Sequence, residues 1–113
     1  MGVRIKRVYE EPSAEDGKRI LIDRLWPRGL TKEKAKIDLW LKEVAPSGEL
    51  RQWFGHDPAK WAEFQERYTA ELNANGEVDQ LRSEIMAGPT TLVYGAKDEL
   101  HNDAVVLKNY LEK

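Results

Sequence analysis

Residues 19–29, with the sequence RILIDRLWPRG, give the strongest indication of how this chain folds. Ile20, Leu21 and Ile22 form an apolar run that is typical of a buried strand, and Asp23, two arginines and a tryptophan follow it directly. Charged side chains are costly to bury unless they are paired. Because ligands of open α/β sheets bind just beyond the carboxyl ends of the strands, this stretch predicts a functional site at such an end.

The composition indicates one globular domain, spanning residues 1–113. This length suffices for one core and is too short for two. Hydrophobic residues make up 41% and charged residues 34%, and no apolar run approaches the roughly 20 residues of a membrane span. Arg4, Lys6 and Arg7 interrupt any secretory signal. The chain has no cysteine, which excludes disulfides, thiolate nucleophiles and cysteine-ligated metals, so we expect a cytoplasmic protein without membrane association.

The charge is unevenly distributed along the chain. The net charge is −2, but residues 1–60 hold 13 Lys and Arg against 10 Asp and Glu, whereas residues 61–113 hold 5 against 10. A basic patch could therefore form from the first half, although such clustering more often marks only a solvated surface.

The first half of the chain predicts three strands and two short helices. Residues 3–9 alternate apolar and basic side chains, residues 19–23 read as a central parallel strand, and Thr31 could cap a short helix through residue 36. Residues 37–43 fit either a strand or a helix, and a strand is favoured. Ser47 could cap a helix that ends at Gly55.

The second half predicts three helices and one strand. Asp57-Pro58 is a helix start, and an apolar stripe follows it at Trp61, Phe64, Tyr68 and Leu72. Another helix around residues 78–85 ends before Gly88-Pro89, and residues 90–94 read as a strand. Asp98 is expected to cap a last helix with its apolar stripe at Leu100, Ala104, Leu107 and Leu111.

The predicted order is β-β-α-β-α-α-α-β-α. Because parallel strands need crossover connections, which helices supply, this order predicts an α/β layered domain with a small, mainly parallel sheet flanked by helices. The short connection between the first two strands leaves a hairpin as an alternative for that pair.

The first candidate cluster is Asp23, Arg24, Trp26 and Arg28. A guanidinium matches phosphate or carboxylate with two hydrogen bonds, and an indole offers a stacking face. Asp23 could orient an arginine or act as a base. The alternative is an ion pair that fixes the loop, with Trp26 in the core.

The second cluster contains Arg51, Trp53 and His56, which precede the helix start at Asp57. His56 is a candidate for proton transfer, because the ordinary pKa of histidine lies near neutrality. The competing interpretation makes Asp57 an N-cap, Trp53 a core residue and His56 a solvent-facing turn residue.

The third cluster contains Lys97, Asp98, His101 and Asn102 after the glycine turn at Gly95. A turn between strand and helix presents backbone N–H groups to an anion, and Lys97 adds charge. Asp98 and His101 share a helical face, but two ligands do not specify a metal, so no metal or cofactor is predicted. A capped helix with an exposed His101 is the structural alternative.

At these clusters the chain closely resembles the YeaO-like proteins of the bacterial family named domain of unknown function 488. The resemblance rests on four long stretches: DRLWPRG at 23–29, DLWLKEVAPS at 38–47, LRQWFGHDP at 50–58 and LVYGAKDELHN at 92–102. The resemblance supports a strand at residues 37–41. It implies no settled activity, and it supplies no catalytic residues that could be assigned to this chain. Longer members carry a Cys-His-Arg stretch at the start of the last helix, where this chain has Asn102-Asp103-Ala104, so a mechanism that needs that cysteine is excluded here.

Three functions compete. The favoured one is an enzyme or binding domain for a small anionic, phosphate- or nucleotide-like ligand, held by Arg24, Arg28 and Lys97, with Asp23, His56 or His101 as proton-transfer groups. The second is a non-catalytic module for single-stranded nucleic acid or a protein partner, which aromatic side chains beside basic ones would suit. The third is that the clusters mainly stabilise the fold, since tryptophans are large apolar anchors.

Overall fold

The strands and helices of this chain follow one another in the order that the sequence predicts. The computed structural model describes residues 3–113, so Met1 and Gly2 of the expected single domain lie outside the described residues. Within that range the elements are β1 (Arg4–Arg7), β2 (Lys18–Leu21), α1 (Lys32–Ala35), β3 (Leu39–Trp40), α2 (Gly48–Phe54), α3 (Trp61–Asn73), α4 (Glu77–Ala87), β4 (Thr90–Tyr94) and α5 (Asp103–Leu111). Single 3₁₀ turns at Ala14–Asp16, Lys42–Val44 and Pro58–Lys60 complete the described chain.

The sheet is parallel throughout, with the strand order β1-β4-β2-β3. Leu92 of β4 is paired with Ile5 on one side and with Ile20 on the other. The hairpin alternative for the first two strands is therefore wrong, because β4 lies between them. All five residues of β4 are buried, and its central place follows from a sequence that is apolar or β-branched on both faces.

Helices cover both faces of the sheet. On one face Ile20, Ile22 and Leu92 pack against α2, α3, α4 and α5, whose buried side chains include Phe64 and Leu107. On the other face a smaller cluster joins the sheet to α1 and the loops around it: Val8, Leu21, Ala35, Ile37 and Val93. The layered α/β class is thus confirmed, with the larger core on the α2–α5 side.

Most helix starts lie where the sequence places them. The side chains of Thr31, Ser47 and Asp57 each accept a backbone N–H bond at the start of a helical turn, and Gly55 ends α2 in the left-handed conformation. These caps satisfy N–H groups that the helix leaves free.

The start of the last helix is predicted wrongly. Its N-cap is Asn102, whose side chain accepts a bond from the N–H of Val105, and not Asp98. Asp98 instead accepts bonds from the N–H groups of Leu100 and His101 within a preceding bend. Leu100 consequently does not belong to the apolar stripe and is 73% exposed.

One buried ion pair lies at the amino end of β2. Arg19 is 3% exposed and Asp16 is 5% exposed, and the two side chains are joined by a hydrogen bond of 2.6 Å. The Nζ of Lys6 also lies 3.2 Å from Asp16. Burial raises the pKa of the Asp16 carboxyl, but bonds from the Ser13 backbone, Lys6 and Arg19 outweigh it and leave the pKa below the ordinary value.

Candidate functional site

Asp23 follows the carboxyl end of β2 and contacts the carboxyl end of the neighbouring strand. Its Oδ2 accepts a hydrogen bond of 2.7 Å from the backbone N–H of Gly95, which follows β4. The indole of Trp40, at the end of β3, donates a bond of 2.7 Å to the backbone oxygen of Asp23. Residues from three parallel strands therefore meet at this edge, as the topology requires.

Asp103, the first residue of α5, faces Asp23 with its carboxyl group in hydrogen-bonding contact. Burial among protein atoms raises the pKa of the Asp103 carboxyl well above its usual range, although part of the side chain remains accessible. The negative charge of Asp23 and the hydrogen bond between the two carboxyls raise this pKa further. The two carboxyl groups therefore interact, and their mutual repulsion opposes the ionisation of Asp103.

The sequence prediction missed Asp103. With Asp98 taken as the N-cap, Asp103 falls in the interior of the last helix and is not a candidate site residue. An acid directly after an asparagine is also a normal helix start, with Asn102 as N-cap and Asp103 in the first turn. That alternative start was the signal that would have placed Asp103 at the sheet edge.

The carboxyl pair lies in a cleft of about 470 Å³. All three clusters contribute to its lining, through the predicted residues Asp23, Arg24, Trp26, Arg51, His56 and Asn102. Residues that were not predicted complete the wall, including Pro27, Pro46, Gln52, Phe54, Phe64 and Asp103. A volume of this size is in the range of small-molecule sites.

Two arginines line the cleft, and they differ in the hydrogen bonds that their guanidinium groups make. Arg24 donates long bonds of 3.4 Å to the backbone oxygens of Ala45 and Pro46, and its Nη1 lies 3.8 Å from Glu43. The Nε of Arg51 is buried and has no hydrogen-bond partner within residues 3–113. A buried donor without a partner is unfavourable, and Arg51 lines the cleft, so an anion that draws its guanidinium toward the cleft would relieve this cost.

His56 and Asn102 line the cleft in different roles. His56 is exposed, adopts a left-handed backbone conformation with φ 56°, and its ring centroid lies 6.1 Å from that of Phe54. Asn102 is buried, caps α5 and donates a 2.9 Å bond to the backbone oxygen of Asp98. Both ends of the Asn102 amide are thus used to hold the chain between β4 and α5.

Five residues of the predicted site lie outside the cleft lining. Arg28 and Lys97 are exposed, and the ring of Trp53 packs beneath Lys60 and Arg67 on another surface. His101 and Asp98 bond to each other, with Nδ1 2.9 Å from Oδ2. The bend at residues 98–101 leaves this pair outside the cleft lining, and the His101 ring contacts Trp61 edge-on.

The Asp98–His101 pair is explained by local structure. Bonds from the backbone of Leu100 and from the His101 side chain hold the pKa of Asp98 below its ordinary value. Across residues 3–113, no set of three or more His, Cys, Asp and Glu side chains is arranged to hold a metal ion. In the same range, no helix has the length and apolar character needed to cross a membrane.

Comparison with known proteins identifies the family. The family model described as "Inactive DUF488-N3 subclade" matches residues 2–113. The uncharacterized protein YeaO of Escherichia coli is 42% identical over 112 residues, which cover 98% of this chain and 97% of YeaO. The uncharacterized protein Rv3073c of Mycobacterium tuberculosis is 38% identical over 109 residues, which cover 96% of this chain and 92% of the relative. No solved structure matches the chain. The chain therefore belongs to the DUF488 family, as a YeaO-like member of the subclade described as inactive DUF488-N3.

Proposed function

We propose that the cleft at the carboxyl edge of the sheet binds a small anionic ligand of phosphate or nucleotide type. The observation that carries this proposal is the buried Nε of Arg51, a cationic donor without a partner among the described residues. A phosphate oxygen is the natural acceptor for such a group, because guanidinium and phosphate form short, charge-assisted bonds. Arg24 lines the same cleft and could complete a two-arginine anion site.

The charge balance of the cleft also favours an anion. Arg24 and Arg51 contribute two positive charges, and Asp23 and Asp103 would cancel them if both were ionised. The raised pKa of Asp103 keeps this carboxyl protonated over a pH range in which an ordinary aspartate is ionised. Over that range Asp103 adds no negative charge, so the two guanidinium groups are opposed by at most one carboxylate of the pair.

The carboxyl pair and the rings narrow the class of ligand. A protonated Asp103 carboxyl can both donate and accept hydrogen bonds, as sugar hydroxyls and base edges do. Trp26 lines the cleft and offers a ring against which a base can pack. A ligand with a phosphate at one end and a polar ring at the other uses both ends of this cleft, which is why a nucleotide is favoured over inorganic phosphate.

Binding without turnover is the favoured form of this function. The subclade to which the chain belongs is described as inactive, and the chain contains no cysteine that could act as a nucleophile. We place this binding role in the cytoplasm, the compartment that a cysteine-free and highly charged composition suggests.

Amide chemical shifts of labelled protein test this proposal. Inorganic phosphate and adenosine monophosphate, each added to millimolar concentration, should shift the resonances of residues 23–27, 51–56 and 95–103. Arg51→Met should weaken binding at least about tenfold, because it removes a charged hydrogen-bond donor. Arg4→Met is the matched control, since Arg4 lies in β1 at the opposite end of the strands and is exposed. Absence of shifts with both ligands would overturn the proposal.

A further inference from the structure

A row of exposed rings continues from the cleft along the carboxyl edge of the sheet. Tyr9 follows β1 and is 44% exposed, and Trp40 ends β3 and is 36% exposed. Leu25, in the loop after β2, adds an apolar side chain that is 64% exposed. We name the rings of Tyr9, Trp26 and Trp40 the aromatic edge. Since β1 and β3 are the outer strands of four, the row spans three strand spacings, about 14 Å.

The aromatic edge is continuous with the cleft. Trp26 lines the cleft and contacts Trp40 edge-on, with ring centroids 5.4 Å apart. On the other side, the hydroxyl of Tyr9 donates a 2.8 Å bond to the backbone oxygen of Arg28, and so holds the 24–30 loop against the end of β1. A ligand that leaves the cleft therefore meets ring surfaces in both directions along the edge.

A cation lies beside each outer ring of the aromatic edge. The guanidinium of Arg7 lies 5.3 Å from the centroid of the Tyr9 ring, and the Nζ of Lys42 lies 5.3 Å from that of Trp40. Arg28 is exposed in the loop between them. Alternation of stacking surfaces with positive charges is the pattern of surfaces that bind single-stranded nucleic acids.

Acidic side chains at this edge are engaged in internal contacts. Glu10 accepts a 3.1 Å bond from the backbone N–H of Arg7, and Asp23 accepts one from Gly95. Glu43 lies 3.8 Å from Arg24. These contacts hold the three carboxylates in place, and the cations Arg7, Arg28 and Lys42 supply the positive charge of the edge.

We propose that the ligand of this surface is a single-stranded nucleic acid, with one nucleotide in the cleft and its neighbours stacked on Tyr9 and Trp40. This inference rests on the proposed function for the nucleotide in the cleft. A duplex does not fit, because its bases stack on one another and offer no free faces to protein rings. Binding should tolerate different base sequences, since every base has a stacking face.

Fluorescence anisotropy of a labelled short oligothymidylate, with thymidine monophosphate as the single-nucleotide ligand, tests the inference. The oligonucleotide should bind at least about tenfold more tightly than the mononucleotide, because additional bases stack on the edge. Tyr9→Ala should weaken oligonucleotide binding several-fold more than it weakens mononucleotide binding. Tyr110→Ala is the matched control, since Tyr110 also packs near an arginine, Arg82 at 5.6 Å, but belongs to α5 and lies away from the edge.

A lysine pair gives a second, electrostatic measurement. Lys42→Gln should reduce the slope of log affinity against log salt by about 0.7, the effect of one lost phosphate contact on a single strand. Lys60→Gln should not change the slope, although Lys60 lies 5.1 Å from the ring of Trp53 in the same kind of contact. Both variants change exposed or half-buried lysines and should remain folded.

The outcomes separate this inference from the proposed function. An oligonucleotide that binds no more tightly than the mononucleotide would overturn the single-strand inference and leave the anion site standing. Equal losses in Tyr9→Ala and Tyr110→Ala would also overturn it, because the effect would then be independent of the edge. Failure of both ligands to bind would overturn both proposals.

Discussion

Asp23 and Asp103 are far apart in the sequence, yet their carboxyl groups are in hydrogen-bonding contact at the carboxyl edge of the sheet. Asp23 follows the central strand β2, and Asp103 begins the helix that follows the other central strand. Their contact is thus a consequence of the parallel pairing of β2 with β4. It determines how many charges the cleft carries at a given pH.

We expect Asp103→Asn to stabilise the protein at neutral and alkaline pH. In the unfolded chain Asp103 ionises near pH 3.9, and in the folded protein its pKa is raised. The folded state therefore binds more protons, and its stability falls as the pH rises from about 3.9 toward the folded pKa, by at most about 1.4 kcal/mol per pH unit. Asparagine can donate a hydrogen bond to Asp23 without ionising, so the stability of the variant does not fall in this way as the pH rises.

Urea unfolding between pH 4 and pH 9 measures the effect of Asp103→Asn. The free energy of unfolding of the variant should exceed that of the wild type increasingly as the pH rises. Asp79→Asn, an exposed first-turn position of α4, serves as the control and should follow the wild-type curve. Parallel pH curves for wild type and Asp103→Asn would contradict the raised pKa of Asp103.

Anion binding should weaken as the pH rises through the pKa of Asp103, because ionisation adds a negative charge to the cleft. Sulfate is the suitable probe, since its charge is constant over the range. A His56→Gln background removes the histidine of the cleft, so that its charge cannot contribute to the pH dependence. In that background Asp103→Asn should make sulfate affinity independent of pH, as calorimetry can determine, whereas an unchanged pH dependence would assign the effect to another group.

The fold was predictable because its signals are local. Ser47 marks the start of α2 because its side chain accepts a backbone N–H bond, and Gly55 marks the end because its backbone readily adopts the left-handed conformation. Asp57 marks the next helical turn with a side-chain cap like that of Ser47. The place of β4 between β1 and β2 was not predictable, because register and neighbours depend on contacts between distant residues. A short connection was compatible with a hairpin, and only the pairing of β4 with both strands excludes it.

The location of the cleft could be predicted from the sequence, but only some of the residues that line it could be. Asp23, Arg24 and Arg51 lie in one cleft because the residues after parallel strands, and the helix that packs there, meet at one edge. Residues 98–101 resemble a helix start as closely as residues 102–105 do, since both have an acid or amide followed by free N–H groups. Tertiary packing selects the second start, which brings Asp103 to the cleft and places His101 beside Trp61 instead.

We expect the buried Asp16–Arg19 pair to dominate the acid sensitivity of the fold. The pKa of Asp16 is lowered in the folded protein, so its contribution to stability is present above about pH 3.9 and is lost as the pH falls through the folded pKa. Asp16→Asn leaves Arg19 buried without its carboxylate and should cost about 3–5 kcal/mol. Its unfolding free energy should also decrease less between pH 6 and pH 2 than that of the wild type.

Glu15→Gln is the control for Asp16→Asn, because Glu15 is an exposed neighbour whose carboxylate lies 3.9 Å from Arg4. Such exposed pairs contribute little, so its unfolding free energy should remain within about 0.5 kcal/mol of wild type. Chemical denaturation monitored by tryptophan fluorescence compares the three proteins. A loss for Asp16→Asn no larger than that of the control would show that Arg19 does not need the carboxylate as its partner.

We expect Arg51→Met to weaken ligand binding while leaving stability unchanged or increasing it. The Nε of Arg51 is buried without a partner among the described residues, and an unpaired buried donor costs about 1–3 kcal/mol. Methionine keeps the apolar stem and removes that donor.

Arg82→Met is the matched change at a satisfied arginine, which donates to the backbone oxygen of Leu111, and it should instead lose stability. Thermal and urea unfolding of both variants measure this difference. A stabilised Arg51→Met that no longer binds anions would mean that this arginine is kept for the ligand at a cost to the fold, whereas a destabilised variant would mean that the arginine serves the core.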